Sequence, residues 1–303
     1  MRRVHVIIDL YYMFYRYKYT IESGRMRHLY ATVDDENIDV SYIYYTLRGI
    51  ETELAKFKDD EVTVSVCIDS YTDRKEASSD YKTNRAKLQT CDLFNLQRIE
   101  GILRQVGYNV YKEYNAEADD LITGLVNLYH KDFDMTYIFT PDADILINLK
   151  QDVHVYRFKS SLKAHVLVTP ENFSELLGKE YGCDMPYNCI VLYKALCGDK
   201  SDKIAGVKGF GARSFDRLIE SLRKDNFDFR WLASYKNVET AILMKEAFIT
   251  GGDKSKLAEA MQSLELIKNR ETEVVKSRPI RNADIENNKR AVYGEQYHFN
   301  SLI

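Results

Sequence analysis

The run VHVIID, residues 4–9, is a short apolar stretch that ends in a carboxylate. Its length and its β-branched residues are typical of a buried strand. VTVSVCID, residues 62–69, repeats the pattern, and TYIFTPDAD, residues 136–144, continues from a similar run into a turn. The carboxyl ends of strands meet at one edge of a parallel α/β sheet. These runs therefore predict a parallel sheet with acids along that edge.

Helical periodicity separates the predicted strands. Apolar residues recur at helical spacing from Val40 to Phe57, from Leu93 to Val106 and from Leu121 to Leu128. YNVYKEY, residues 108–114, and VHVYRF, residues 153–158, are two further predicted strands. Strands that alternate with helices predict an α/β domain whose sheet is mostly parallel and lies between two helical layers.

The strand signals stop near residue 170. Thr169 is a candidate N-cap with Pro170 at the first helical position, and further helices are expected near 186–197, 211–224, 237–249 and 255–267. The predicted domains are an α/β domain at 1–184, a small all-helical region at 185–270 and a polar tail at 271–303. We expect part of that tail to be loosely ordered.

The composition is that of an ordinary globular protein, with 303 residues, 45% hydrophobic residues and a formal charge of −3. No apolar run approaches the ~18 residues of a membrane span. Asp9 interrupts the first apolar run, which favours a strand over a signal peptide. Five cysteines without a CxxC pair indicate free thiols in a reducing compartment, so a cytoplasmic location is expected, in a host cell if a phage encodes the chain.

Carboxylates are concentrated at a few places. EYNAEADDLITGL, residues 113–125, sets three of them within four residues, and GDKSD, residues 198–202, adds two. With the acids at the strand ends, the candidates are Asp9, Asp69, Glu117, Asp119, Asp120, Asp142, Asp144, Asp199 and Asp202. Two like charges ~4 Å apart repel by ~4 kcal/mol at an effective dielectric of ~20. If the acids converge, their oxygen atoms favour a hard cation such as Mg²⁺ or Mn²⁺.

Each acid also has a structural interpretation when it is taken alone. The helix dipole favours carboxylates in a first turn by ~0.3–1 kcal/mol, and an aspartate after a strand is commonly a turn residue. These local roles explain each acid separately. They do not explain why acids from three separate strands and two helices would lie close together. The occurrence of all these acids together therefore favours a metal site. The six histidines are scattered and do not have the spacing of zinc ligands.

Basic residues cluster in two segments. TDRKEASSDYKTNRAK, residues 72–87, follows the strand that ends in Asp69 and is a candidate clamp for a phosphate or a single strand, although a solvated charge run explains it as well. Its candidate contacts are Arg74, Lys75, Tyr81, Lys82, Arg85 and Lys87.

KIAGVKGFGARS, residues 203–214, places closely spaced glycines between two helical runs. Such glycines let backbone N–H groups and a helix N-terminus approach a phosphate, so a helix–hairpin–helix that grips duplex backbone is predicted. Its candidate contacts are Lys203, Gly206, Lys208, Gly209, Gly211 and Arg213. The tyrosine-rich YYMFYRYKY, residues 11–19, is expected to lie mainly in the core, with a base-stacking surface as the alternative.

Six segments together resemble the 5′ nuclease superfamily, which includes flap endonucleases, phage 5′→3′ exonucleases and the 5′ nuclease domain of bacterial DNA polymerase I. In order and spacing they are IIDL, CID, DYKTNR, EADDL, TPDADIL and YKALCGDKSDKIAGVKGFGARS. The resemblance runs from about residue 4 to 225 and implies a PIN-like α/β fold with a helical arch at about 70–92. The chain is too short to carry a polymerase, so a stand-alone phage or accessory member is implied.

The resemblance also implies residue roles. Two Mg²⁺ ions, or Mn²⁺ in their place, would be held by the nine acids. Asp69, Glu117 and Asp119 would favour one ion. Asp142, Asp144, Asp199 and Asp202 would favour the other, with Asp9 and Asp120 acting partly through water. Lys82 and Arg85 match the basic pair that contacts the scissile phosphate, Tyr81 matches the base-stacking aromatic, and K⁺ is a candidate cation at the hairpin.

The chain departs from the family at two places. Leu10, Tyr11 and Tyr12 follow Asp9, where the family usually has a glycine and then polar residues. Lys203 and Ala205 stand where asparagine and proline are common. Neither departure removes a carboxylate.

The implied function is two-metal hydrolysis of DNA at 5′ ends or flaps during replication or repair, leaving 5′-phosphate and 3′-hydroxyl ends. Three alternatives stay open: RNase H-like removal of RNA primers from RNA/DNA hybrids, a PIN-type ribonuclease, and a catalytically silent protein that binds branched DNA. A monomer without membrane contact is expected, and YHFNSLI, residues 297–303, is a candidate docking segment for a replication protein.

Overall fold

The computed structural model describes residues 1–33, 36–70, 89–159, 164–200, 203–267, 275, 277–297 and 299. Packing divides the chain into two compact units. Unit 1 comprises Met1–Tyr71, Ala86–Pro141 and Thr272–Ile303, and unit 2 comprises Thr72–Arg85 and Asp142–Glu271. The predicted domains divide the chain differently, at 184 and 270, and those boundaries stay a prediction. In the parts of the chain that the structure describes, no helix has the length and apolar character needed to cross a membrane.

Unit 1 alternates strands and helices as the sequence predicts. In chain order it contains β1 (Arg3–Asp9), α1 (Leu10–Glu22), β2 (Tyr30–Val33), β3 (Glu36–Asp39), α2 (Ser41–Leu54), β4 (Glu61–Cys67), α3 (Thr90–Val106), β5 (Asn109–Tyr111), α4 (Ala118–Tyr129) and β6 (Met135–Phe139). Short 3₁₀ turns follow α2 and α4, at Ala55–Phe57 and His130–Asp132. The antiparallel pair of β2 and β3 was not predicted, because four-residue strands give little periodicity.

The sheet of unit 1 is parallel, with the strand order β5-β4-β1-β6. The central strand β1 runs in register with β4 from Arg3 opposite Glu61 to Asp9 opposite Cys67. Every side chain of β1 from Val4 to Ile8 is fully buried, so both faces of the strand are covered. A parallel sheet that is buried on both faces is the predicted α/β class, which is confirmed.

Unit 2 begins with an antiparallel strand pair and continues as helices. Its elements are β7 (Val153–Lys159), β8 (Ala164–Val168), α5 (Phe173–Tyr181), α6 (Ile190–Cys197), α7 (Ala212–Lys224), α8 (Tyr235–Met244), α9 (Glu246–Thr250) and α10 (Lys254–Ile267). Three 3₁₀ segments, at Asp144–Asn148, Tyr187–Cys189 and Phe229–Ala233, complete it. The other predicted helices are confirmed within a few residues, but the helix expected at 237–249 is divided into α8 and α9, and α5 has Asn172 rather than Thr169 at its N-cap. β8 was not predicted.

The C-terminal segment packs on unit 1. Ile285–Lys289 is α-helical and Arg290–Gln296 continues as π-helical turns, so this part of the tail is regular, and the expectation that another part is loosely ordered stays a prediction. The hydroxyls of Tyr108 and Tyr293 both donate to Glu51 Oε1, at 2.7 Å and 3.0 Å. Lys289 Nζ lies 2.7 Å from the other Glu51 oxygen. One carboxylate therefore anchors the segment to α2.

The same segment covers the edge strand β5. The Asn109 side chain donates to the Ile280 carbonyl and accepts from its N–H, both at 2.9 Å. The Tyr111 hydroxyl donates to the Ser277 carbonyl at 3.1 Å. These bonds protect an edge that would otherwise be open to pairing with another strand.

Loss of the Glu51 carboxylate should destabilise the fold. Glu51→Ala leaves two largely buried phenol groups and Lys289 without their acceptor, and we expect the free energy of unfolding to fall by about 3–5 kcal/mol. Urea unfolding followed by circular dichroism measures the change. Glu286→Ala, which removes the exposed partner of Lys289, is the control and should cost less than ~0.5 kcal/mol. Equal losses in the two variants would contradict the anchoring role.

His5 should make stability depend on pH. It is fully buried on β1, with Nε2 2.7 Å from Ser65 Oγ and its ring stacked on Phe133. Burial lowers the pKa of His5 to about 3, against 6.5 in the unfolded chain. The unfolded state therefore takes up a proton first as pH falls. The contribution of His5 is complete above pH 6.5 and is lost as pH falls toward 3, by ~1.4 kcal/mol per pH unit.

We accordingly expect the free energy of unfolding to drop by roughly 2 kcal/mol between pH 6.5 and 4.5 on account of His5. Residue 5 cannot titrate in the His5→Asn variant. The free energy of unfolding of this variant should therefore fall less over the same pH range, by the contribution of His5. Urea unfolding at the two pH values compares them, and identical pH slopes would refute the assignment to His5.

Candidate active site

Asp9 ends β1 and starts α1. Its Oδ1 accepts the Tyr12 N–H at 3.0 Å, which caps the helix, and its Oδ2 accepts the Thr140 hydroxyl at 3.4 Å. Thr140 directly follows β6. The first predicted acid is therefore held between a helix start and the end of the neighbouring strand.

Asp69 joins the end of β4 to the start of α4. It lies two residues beyond the strand, and its Oδ1 accepts the Ala118 N–H at 2.7 Å. Nearby, the Ser70 N–H donates to the Ala116 carbonyl at 3.0 Å. These bonds bring Asp69 against the acidic segment that begins at Glu117, as the sequence predicts for acids at the carboxyl ends of parallel strands.

Glu117 and Asp120 form a capping box on α4. The Glu117 side chain accepts the Asp120 N–H, and Asp120 Oδ2 accepts the Glu117 N–H at 2.9 Å. Asp120 is fully buried. The capping interpretation of these first-turn acids therefore applies to this pair, and their predicted metal roles stay predictions.

Burial and the carboxylates of unit 1 raise the pKa values of two residues near the ends of β1 and β4. Burial, and after it the charges of Asp9, Asp119 and Asp69, raise the pKa of the Cys67 thiol well above its ordinary value. Burial and nearby charges, those of Asp69 and Asp9 among them, also raise the pKa of Tyr11 to about 12. Asp9 lies opposite Cys67 in the sheet, and Asp69 follows two residues after Cys67, so the structure places these two predicted acids at the same edge of the sheet.

In unit 2 a buried lysine lies among the predicted acids. Asp142 Oδ1 accepts the Asp144 N–H at 2.9 Å. Lys194 Nζ donates to Asp144 Oδ1 and to Asp199 Oδ2, the latter at 2.6 Å. Burial alone would lower the pKa of Lys194, but the charges of Asp144, Asp142 and Asp199 outweigh it and raise that pKa above its ordinary value.

Sequence reasoning missed Lys194. The available signal was a single charge in the otherwise apolar helix IVLYKALC, residues 190–197. A lysine at a buried position needs a paired acid, and Asp199 follows five residues later.

A tight loop carries Asp199. Asp199 and Ile204 exchange two backbone hydrogen bonds of 2.8 Å. Gly206 has a φ of +68°, and a Cβ atom there would lie 2.3 Å from the Gly198 backbone nitrogen. Only glycine fits this close approach. Asp202, which lies within the loop, is outside the described residues.

The hairpin between α6 and α7 turns its basic residues outward. Val207 and Phe210 are buried beneath it, whereas Lys203, Lys208 and Arg213 are exposed. Gly209 has a φ of +78°, but Gly211 is extended and has no need to be glycine. The Lys208 N–H donates to Glu259 Oε2 at 2.8 Å, so this backbone donor is already engaged. The predicted DNA contacts of the hairpin stay predictions.

Other predicted residues lie outside the described ones, namely Arg74, Lys75, Tyr81, Lys82, Arg85 and Lys87. Among the residues that the structure does describe, no three His, Cys, Asp or Glu side chains form a group that could hold a metal ion. The division of the acids between two ions is therefore untested.

Removal of Lys194 should destabilise unit 2. Lys194→Met leaves Asp144 and Asp199, both largely buried, without their cation, and we expect the free energy of unfolding to fall by about 3–5 kcal/mol in EDTA. Lys200→Met removes an exposed lysine six residues away and serves as the control. Urea unfolding measures both, and a Lys194→Met variant as stable as the control would show that the pairing contributes little.

Curated relatives are exonucleases by name. The chain is 34% identical to the 5′-3′ exonuclease of Mycoplasma genitalium over 140 residues, which is 46% of each protein. It is 28% identical to the 5′-3′ exonuclease of Bacillus subtilis over 210 residues, covering 64% of this chain and 67% of that one. The chain thus spans about half the length of the first relative and two thirds of the second.

Similar solved structures cover nearly the whole chain. The T5 D15 protein co-crystallised with metal ions matches with a TM-score of 0.62 and 16% identity, over 99% of this chain and 97% of that one. The catalytic core of Rad2 in complex with DNA substrate matches with a TM-score of 0.51 and 15% identity, over 99% and 91%. At these identities the likeness shows a shared fold.

A family model decides the assignment. It is described as 5′-3′ exonuclease, N-terminal resolvase-like domain, and it matches residues 4–178. The matched part is more than half of the chain and holds the strands, Asp9, Asp69 and the acidic start of α4. The chain belongs to the 5′-3′ exonuclease family.

Proposed function

We propose that the protein is a metal-dependent, structure-specific 5′ nuclease that hydrolyses phosphodiesters in DNA with 5′ ends or flaps. One observation carries the proposal: in a chain of the 5′-3′ exonuclease family, Asp9 and Asp69 follow the neighbouring parallel strands β1 and β4, and Asp69 accepts the N–H of Ala118 at the acidic start of α4. Carboxylates at one edge of a sheet give a cation binding site a physical reason, since they repel one another.

The chemistry of the donors fits hard divalent cations. The predicted ligands are carboxylates, and oxygen ligands suit Mg²⁺ and Mn²⁺. One proposed set is Asp69, Glu117 and Asp119, and the other is Asp142, Asp144, Asp199 and Asp202, with Asp9 and Asp120 acting partly through water. Bound ions of this kind supply an activated water and stabilise charge on a phosphate.

The protein holds several of these acids in fixed orientations. The Ala118 N–H orients Asp69, and the Thr140 hydroxyl and the Tyr12 N–H orient Asp9. Lys194 neutralises part of the charge on Asp144 and Asp199. A carboxylate whose orientation is fixed by a partner needs little rearrangement when a cation or a phosphate arrives.

Substrate binding is assigned to the basic residues. Lys82 and Arg85 would contact the scissile phosphate beside Tyr81, with Arg74, Lys75 and Lys87 along the strand. The exposed Lys203, Lys208 and Arg213 would contact duplex backbone. The Rad2 core, which shares the fold, is in complex with DNA substrate, and this supports DNA as the ligand that these residues would contact.

Cleavage of a double-flap DNA tests the proposal. We expect Mg²⁺-dependent cutting near the junction of a 5′-labelled substrate, with none in EDTA. Asp142→Asn removes a proposed metal ligand and should lower the single-turnover rate about 100-fold or more. Asp216→Asn makes the same chemical change on the exposed face of α7 and should cut at the rate of the unmodified protein.

The other outcomes identify the alternatives. Cutting that persists in EDTA would reject metal dependence. Binding of the flap without cutting under Mg²⁺ or Mn²⁺ would favour a silent branched-DNA binder. Cutting confined to flaps or primers made of RNA would assign the enzyme to primer removal.

A further inference from the structure

The hairpin between α6 and α7 is held in shape by its own contacts. The Val207 N–H donates to the Leu196 carbonyl at 2.8 Å, and the Phe210 N–H donates to the Val207 carbonyl at 2.9 Å. The side chains of Val207 and Phe210 are both buried. The path of the hairpin backbone is therefore fixed by contacts within the hairpin and with the end of α6.

Glu259 adds a contact from outside the hairpin. It lies on α10, and its Oε2 accepts the Lys208 N–H at 2.8 Å. Lys208 is exposed, whereas Ala260, the residue after Glu259, is fully buried, and α10 packs along α6. A firmly packed helix thus carries the Glu259 carboxylate to an exposed backbone donor of the hairpin.

The start of α10 does not explain Glu259. The acid that caps this helix is Asp253, which accepts the Ser255 N–H at 3.0 Å and the Ser255 hydroxyl at 2.7 Å. Glu259 is the sixth residue of α10 and lies beyond the first turn, where the helix dipole favours a carboxylate. Its partner belongs to the hairpin rather than to its own helix.

The donor that Glu259 occupies is of the kind that a phosphate uses. Backbone N–H groups of a glycine-containing turn and of the helix that follows it are favourable phosphate donors. Gly211, at the N-cap of α7, has no side chain that could accept from the first N–H groups of that helix. The exposed Lys203, Lys208 and Arg213 give the same segment positive charge. The Glu259 carboxylate therefore lies where a phosphate oxygen could bind, and it carries the same sign of charge.

We propose that Glu259 limits the affinity of the hairpin for duplex DNA, because its carboxylate occupies the Lys208 N–H that a backbone phosphate would otherwise take. An approaching phosphate meets a like charge and must displace the carboxylate before it can accept from that donor. Weaker binding of the duplex favours product release, which limits the rate of many enzymes. The ligand, duplex DNA, rests on the proposed function, whereas the occupied donor rests on the geometry of unit 2.

Affinity for a plain duplex tests this role of Glu259. Fluorescence anisotropy in EDTA, at roughly 0.1 M salt, gives the Kd of a labelled duplex without an arm. Glu259→Ala frees the Lys208 N–H and removes the charge, so we expect the Kd to fall about 2- to 10-fold. Glu259→Gln keeps the size of the side chain but presents a neutral amide, which a phosphate displaces more easily, so its Kd should fall as well.

Glu265→Ala is the matched control. It removes the same charge from an exposed position of α10, six residues beyond Glu259. Six residues of helix span ~9 Å, close to the Debye length at this salt, so this charge is largely screened from the hairpin and the Kd should change less than about 2-fold. The Lys208 amide gives a direct readout in ¹H–¹⁵N spectra. Its resonance should move on addition of the duplex, at lower duplex concentration in Glu259→Ala than in the unmodified protein.

Three results would each overturn the inference. In the first, Glu259→Ala binds the duplex no more tightly than Glu265→Ala does. In the second, Glu259→Ala binds more weakly than the unmodified protein, which would show that Glu259 holds the hairpin in its binding shape. In the third, the Lys208 resonance of Glu259→Ala does not respond to the duplex. If circular dichroism shows that Glu259→Ala is misfolded, Glu259→Gln decides by the same criteria.

The flap assay separates this inference from the proposed function. Tighter duplex binding by Glu259→Ala, in a protein that does not cut DNA, would leave the role of Glu259 standing without the nuclease. Mg²⁺-dependent cutting, together with equal Kd values for the unmodified protein and Glu259→Ala, would leave the nuclease standing without this role.

Discussion

The candidate site depends on the parallel pairing of β1 with its two neighbours. A strand buried on both faces cannot carry a charge in its interior, so its first acid is Asp9, at its last residue. The register then sets Asp9 opposite Cys67, and Asp69 follows two residues farther along the same direction. Acids distant in sequence thereby reach one edge of the sheet because three strands run the same way.

Close carboxylates need partners, and each unit supplies them differently. Unit 1 uses backbone N–H groups and a hydroxyl: Ala118 for Asp69, Thr140 for Asp9 and the helix cap for Asp120. Unit 2 uses a full positive charge, that of Lys194, against Asp144 and Asp199. Neutral donors leave the charge of the acid in place, whereas a lysine offsets it. The two groups of acids therefore differ in the net charge that they would present to a cation.

Sequence patterns predicted the strands, most helices and the places where acids follow strands, because periodicity and strand-end chemistry are local properties. They could not distinguish Asp120 as a buried cap from Asp120 as a ligand, since both roles favour a carboxylate in a first helical turn. Lys194 was missed because its partners lie as far as 50 residues away in sequence. Sequence patterns could not tell that Tyr19 is exposed while the other four tyrosines of residues 11–19 are partly buried, because tyrosine is compatible with core and surface alike and only packing decides between them.

Tail packing escaped prediction for a similar reason. Residues 285–296 are polar and weakly periodic, but they are held by Glu51 and by a buried Tyr293, contacts that span up to 242 residues of sequence. Local pattern carries no information about a partner so distant. The same holds for Asn109, whose side chain bonds a backbone 171 residues away.

That long-range closure has a consequence for the order in which the chain folds. Unit 1 is assembled from its beginning and its end, with most of unit 2 encoded between them. During synthesis from the N-terminus the parallel strands emerge early, yet the residues that cover β5 and contact Glu51 emerge only after those of unit 2. Unit 2 can therefore finish folding while β5, the edge strand of unit 1, is still uncovered and open to pairing with another strand.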